Sequence, residues 1–221
     1  MTIDALGTLL ALVPPAPRLR AGLRERFGLE VSGAEAGRAM RAEIGFYRAH
    51  LHLGRDQAGL DALRRCCAEV LRDTLAVPEL DLGALTEVLL EAIRFEPFPD
   101  AVPALRELRA AGVRVVAASN WDVSLHEQLE RTGLSALLDG AVSSAEAGAA
   151  KPDPAILVRA LEIAGAEPGA ARRVGDDLEA DVGAARAAGV RPVLIDRERA
   201  MDAPAGVVRI TSLTELPALC A

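Results

Sequence analysis

The chain has 221 residues, enough for one domain with a full core or for a core carrying a small inserted module. It is 51% hydrophobic, only 3% aromatic and has a mean hydropathy of +0.21, which excludes a disordered chain, while every apolar run stops short of the roughly 18 residues of a membrane span. A formal net charge of -7 without a basic stripe excludes nucleic acid as a partner, and the absence of a basic-then-apolar leader reads as a soluble cytoplasmic protein with no membrane partner.

Met1 to Asp4 reads as a very short strand, followed by Gly7-Thr8 and an apolar run from Leu9 to Val13. Pro14, Pro15 and Pro17 break the chain there. Arg18–Phe27, Gly33–Leu51, Gln57–Leu75 and Leu82–Ile93 carry apolar residues at helical spacing, so residues 14–95 form an all-helical module. Glu96 to Pro99 marks the return from it. Val102–Ala111 is the next helix, stopped by Gly112, and Val113–Ala118 is an almost wholly apolar run suited to a strand buried on both faces. Further helices are expected at Ser124–Thr132, Asp153–Ala164, Leu178–Ala188 and Leu213–Leu219. Further strands are expected at Gly140–Ser143, Arg172–Gly175, Arg191–Ile195 and Val207–Ile210. Strands alternating with helices of this length imply a doubly wound parallel α/β sheet, with residues 1–13 and 96–221 as its Rossmann-like core.

In such sheets ligands sit beyond the carboxyl ends of the strands. The residues that fall there are Asp4, Ser119-Asn120, Lys151 and Asp176-Asp177. Converging carboxylates repel one another unless a cation neutralises them, and an oxygen-only donor set suits Mg²⁺ together with a substrate phosphate. A carboxylate can also be a nucleophile toward phosphorus. Lys151 is the only lysine in a chain that otherwise uses arginine, placed where a compact ammonium suits a phosphoryl group. Asn120 is the only asparagine; it either contacts substrate or braces its loop. Asp177 is either a metal-side carboxylate or a helix cap, and Trp121 and Asp122 either line the substrate mouth or pack. Tyr47, Arg41 and Arg48 share one helix and read first as packing and solvated residues. Cys66, Cys67 and Cys220 form no disulfide framework and no zinc pattern.

Four stretches together resemble the haloacid dehalogenase superfamily, in the branch whose helical cap is inserted between the first and second motifs. They are Ile3-Asp4-Ala5-Leu6-Gly7-Thr8-Leu9, Val115 to Asn120 ending in Ser119, Lys151-Pro152-Asp153-Pro154, and Val174-Gly175-Asp176-Asp177 with Asp181 following. The resemblance covers the whole chain in order. It implies that Asp4 is the nucleophile and a Mg²⁺ ligand, with the Leu6 carbonyl, Asp176 and Asp181 completing the metal side. It implies that Ser119 and Lys151 grip a phosphoryl group, with Thr8 and Asn120 as further substrate contacts. The substrate implied is a small phosphorylated metabolite, and the protein a monomer or homodimer. One position departs from the pattern: Leu6 stands where the family's phosphatases carry a second aspartate that protonates the leaving group. That departure keeps two alternatives open: cleavage of a carbon–halogen bond without metal, and a non-catalytic binder of a ligand or partner.

Overall fold

The computed structural model describes residues 1–220. In chain order the elements are β1 (Thr2–Ile3), β2 (Leu10–Leu12), α1 (Pro15–Phe27), α2 (Gly33–His50), α3 (Gln57–Leu75), α4 (Leu82–Ala92) and β3 (Phe95–Pro97). Then follow α5 (Ala101–Ala110), β4 (Val116–Ser119), α6 (Leu125–Arg131), β5 (Gly140–Ser143), α7 (Ser144–Ala147) and α8 (Ala155–Ala164). The chain closes with β6 (Arg172–Gly175), α9 (Gly183–Ala187), β7 (Arg191–Ile195) and β8 (Val208–Ile210). Two compact units result: Met1–Ala11 with Glu96–Ala221, and Leu12–Phe95.

The first unit holds a six-stranded parallel sheet in the order β5-β4-β1-β6-β7-β8. Order reverses at β1, which pairs with β4 on one side and β6 on the other, so the switch point lies at the end of the shortest strand. Strand β4 is buried along its whole length, as a strand covered on both faces must be. It begins at Val116 rather than Val113 because its neighbour β1 begins only at Thr2, which is in register with Val116.

Two expected helices take other forms. Leu178–Val182 is a single π-type turn ahead of α9. The Asp177 carbonyl accepts from both Asp181 N and Val182 N, at 3.0 and 3.2 Å, which widens the turn. Leu213–Leu219 is two short 3₁₀ turns, because Pro217 has no N–H with which to continue a helix. The apolar run after Leu9 supplies β2, which pairs with β3 in a two-stranded ribbon that periodicity did not reveal. Within the same unit, Arg197 lies 3.9 Å over the Phe98 ring and pairs with Asp100 at 2.7 Å. Its Nη2 also donates to the Thr8 carbonyl at 2.9 Å, and Asp100 accepts from Ser212 Oγ and Leu213 N, each at 2.9 Å.

The second unit is helical. Its core is an aliphatic layer that includes Leu23, Leu63, Leu71 and Leu85. Side chains start the helices: Ser32 and Glu35 make a reciprocal capping box on α2, while Asp56 and Asp81 cap α3 and α4. No helix among the described residues is long and apolar enough to cross a membrane, and Cys66, Cys67 and Cys220 are in no disulfide among the described residues.

Candidate active site

The two residues of β1 are fully buried and deliver Asp4 to the carboxyl edge of the sheet, where its N–H donates to the Val174 carbonyl at 2.9 Å. The chain then turns tightly: the N–H groups of Thr8, Leu9 and Leu10 all donate to the Ala5 carbonyl, which leaves the Leu6 carbonyl outside this set. Gly7 has φ +85°, and a Cβ there would lie 2.1 Å from Asp176 Oδ2. Only glycine satisfies both the left-handed backbone and that close approach.

Strand β4 ends at Ser119, which is buried, and Asn120 follows. The family resemblance implies a substrate contact for Asn120. Its amide is instead committed at both ends to the Lys151 backbone, with Nδ2 donating to the Lys151 carbonyl at 3.0 Å and Oδ1 accepting from Lys151 N at 2.8 Å. Asn120 therefore holds the lysine loop against the end of β4. Lys151 is buried, and its Nζ donates to Asp4 Oδ1 at 2.5 Å and to Asp181 Oδ1 at 2.6 Å.

Strand β6 contributes on two faces. Asp176 follows its last residue, and the Thr8 hydroxyl donates to Asp176 Oδ1 at 3.4 Å. Thr8, expected at the substrate, is fully buried, and its one hydroxyl contact among the described residues is this carboxylate. On the other face Gly175 leaves room for Asp181, whose Cγ would lie 2.0 Å from a Cβ at that position. The wide turn after Asp177 brings Asp181 back to this spot, where its Oδ2 accepts from Asp177 N at 3.1 Å. Asp177 itself is the cap, accepting from Glu179 N and Ala180 N at 2.8 Å each.

Sequence reading passed over Arg173. It is 1% exposed, two residues before Gly175 on the same strand, and so shares its face. Its Nη2 donates to Asp181 Oδ1 at 2.6 Å, to Asp4 Oδ1 at 3.2 Å and to the Ala118 carbonyl at 2.8 Å. The available signal was a charge at an inward position of a strand buried between two others. Trp121 and Asp122 are buried, with Trp121 Nε1 donating to Ser124 Oγ and Asp122 Oδ1 accepting from Ser124 N.

The charges are unevenly matched. Burial pushes the Asp4 carboxyl up; Lys151 opposes this, Asp181 reinforces it, and Asp4 is left above its ordinary value. Asp181 suffers the same desolvation, but Arg173 and Lys151 outweigh it and hold the carboxyl at about 2. Asp176 is pushed up to about 6, first by burial and then by the charges of Asp4 and Asp181. Both cations thus serve Asp4 and Asp181, and Asp176 carries the uncompensated charge. One oxygen of each of the three carboxylates lies within 4.8 Å of the others. A hard, oxygen-seeking divalent cation fits a donor set with that surplus of negative charge.

A parallel α/β core with a strand-end aspartate, a buried lysine and a carboxylate cluster at its switch point puts a nucleophile and a metal-type donor set in one crevice. A family model described as haloacid dehalogenase-like hydrolase matches residues 2–189, and the chain belongs to that family. The chain is 35% identical over 137 residues to glyceraldehyde 3-phosphate phosphatase of Methanopyrus kandleri, covering 60% of this chain and 59% of that protein. The match therefore spans about three fifths of that relative's length. It is 29% identical over 213 residues to haloacid dehalogenase-like hydrolase domain-containing protein 3 of Bos taurus, covering 91% and 83% of the two chains. Among solved structures, a defluorinating L-2-haloacid dehalogenase superposes with a TM-score of 0.72 at 25% identity, covering 99% of this chain and 93% of that one.

Proposed function

We propose that the protein is a Mg²⁺-dependent phosphatase of small phosphorylated metabolites, with Asp4 as the nucleophile that attacks phosphorus. The observation that carries this reading is the position of Asp4: a buried carboxylate at the switch point, paired with Lys151 and adjoining Asp176 and Asp181. A phosphatase among the relatives supports it. The side chains of Asp4, Asp176 and Asp181 and the Leu6 carbonyl would hold Mg²⁺. When bound, the ion would neutralise charge on the phosphoryl oxygens and keep Asp4 ionised.

Lys151 holds Asp4 in place and offers its ammonium to a phosphoryl oxygen, and Ser119 offers a hydroxyl beside it. Asp4 attacks in line, the phosphorus–oxygen bond to the alcohol breaks, and an aspartyl-phosphate forms. Water then hydrolyses that intermediate, returning Asp4 and releasing phosphate. Leu6 supplies no proton to the departing oxygen, and a positioned acid is typically worth about 10²- to 10⁴-fold. Substrates whose leaving group needs little protonation are therefore favoured.

The test is phosphate release from an aryl phosphate and a panel of phosphometabolites, with Mg²⁺ or with chelator, by wild type and Asp4→Asn. The expected result is Mg²⁺-dependent release that Asp4→Asn lowers at least about 1,000-fold. Equal release by the variant would sink the assignment of the nucleophile.

Leu6 favours a second reading, carbon–halogen cleavage by the same carboxylate, because a halide departs without a proton. The superposition on a dehalogenase keeps it in view. Halide release from a 2-haloacid in chelator, with no phosphate release from any substrate, would establish it.

A further inference from the structure

Arg173 has no place in the mechanism above, yet it is among the most completely buried side chains of the protein. A guanidinium inside a parallel sheet is costly to desolvate and persists only where carboxylates face it. Its neighbour Arg172 points the other way and donates to the Leu219 carbonyl at 2.6 Å, as strand alternation requires. Arg173 reaches the two oxygens that Lys151 also reaches, Asp4 Oδ1 and Asp181 Oδ1. A second anchor, from Nη2 to the Ala118 carbonyl at 2.8 Å, ties it to β4, while its Nη1 has no hydrogen-bond partner among the described residues.

The charges can be counted. Asp4, Asp176 and Asp181 bring three negative charges, and Lys151 and Arg173 bring two positive ones. The cluster keeps one negative charge, where Lys151 alone would leave two. A divalent ion is attracted in proportion to that remainder. It must also share Asp4 Oδ1 and Asp181 Oδ1 with the guanidinium or turn to the other carboxylate oxygens.

We propose that Arg173 is a resident cation of this site, a positioning residue that holds Asp4 and Asp181 in place without metal and thereby weakens the site's hold on Mg²⁺. The proposal rests on the metal-site reading given above. It makes Asp4 an oriented carboxylate before the ion arrives, and it makes the ion a loosely held partner that exchanges freely.

The experiment is calorimetric titration of Mg²⁺ into the intact wild type, Arg173→Met and Arg173→Lys. Arg173→Met should bind Mg²⁺ at least about tenfold more tightly than wild type, because one positive charge has left the cluster. Arg173→Lys, which keeps the charge, should stay within about threefold. Equal or weaker binding by Arg173→Met overturns the proposal, as does tightening of tenfold or more in Arg173→Lys. Wild type supplies an arm that needs no variant to fold: its Kd should be weaker than about 100 μM, and a tighter value overturns the proposal. Absence of heat with all three proteins removes the metal site itself, and the proposal with it, which separates the two failures.

Discussion

The two units each bury carboxylates, and they do so under opposite rules. At the sheet edge, Asp4 and Asp181 face two cations that are themselves buried. In the helical unit, Glu43 on α2 is 2% exposed beside an aliphatic layer, its Oε2 has no partner among the described residues, and the Cys67 thiol is the group that hydrogen-bonds the carboxylate. Burial pushes Glu43 up to about 7, whereas the two cations hold Asp181 at about 2. The difference shows that burial alone does not set ionisation; the charge of the nearest partner does. Asp181, matched by a lysine and an arginine, is held an anion, whereas Asp4, sharing those two cations with Asp181, is left above its ordinary value, and Glu43, with only a thiol, is pushed up to about 7.

Removing a cation from the sheet edge should produce the largest change. Lys151→Met leaves Asp4 and Asp181 with one fewer partner and should cost about 3–5 kcal/mol of stability, read from urea unfolding. It should also abolish turnover, and an unchanged unfolding midpoint would show that Arg173 alone neutralises the pair.

Glu43 sharpens the contrast in the opposite direction. Its folded pKa lies above its unfolded value, so the proton-linked stabilisation is complete below about pH 4.5 and is lost as pH rises through about 7. Glu43→Gln fixes the neutral form. It should leave stability nearly unchanged at pH 4.5 and raise it by up to about 3 kcal/mol at pH 9, measured as unfolding free energy across that range. A stability difference that does not vary with pH would show that Glu43 is ionised in the folded chain.

The smallest expected effect is at Asn120. Asn120→Ala removes two hydrogen bonds to the Lys151 backbone and should cost about 1–2 kcal/mol. Because the amide positions the lysine rather than touching substrate, KM should change less than kcat. A change confined to KM would return Asn120 to the substrate side.

Much of this was legible in the sequence. Gln57–Leu75 has the boundaries that its apolar spacing indicates, since an aspartate precedes it and a left-handed residue ends it. The strand-end rule pointed to Asp4 after β1, Ser119 at the end of β4 and Asp176 after β6, with Lys151 in the loop that follows β5 and α7. What stayed hidden depends on partners far away in the chain. Arg173 is matched by Asp4, 169 residues earlier, and Asn120 by a backbone 31 residues later, and no local window contains either pair. Asp181 is only 8 residues from Arg173, but the π-type turn is what brings it back to the guanidinium. Strands β2 and β3, of three residues each, are too short for a period to show. The π-type turn arises because one carbonyl accepts two N–H groups, a choice that composition does not encode.

The Arg197–Asp100 pair has a practical corollary for anyone trimming this protein. The family model stops at residue 189, and among the described residues nothing after that point contributes a side chain to the carboxylate cluster. The guanidinium of Arg197 nevertheless grips the Thr8 carbonyl, and Ser212 and Leu213 clamp the aspartate that orients it. A shortened version cut at the family boundary would keep every candidate chemical group and lose the guy-rope on the loop that carries Asp4. The useful minimum for engineering therefore extends past Leu213, well beyond what the shared motifs delimit.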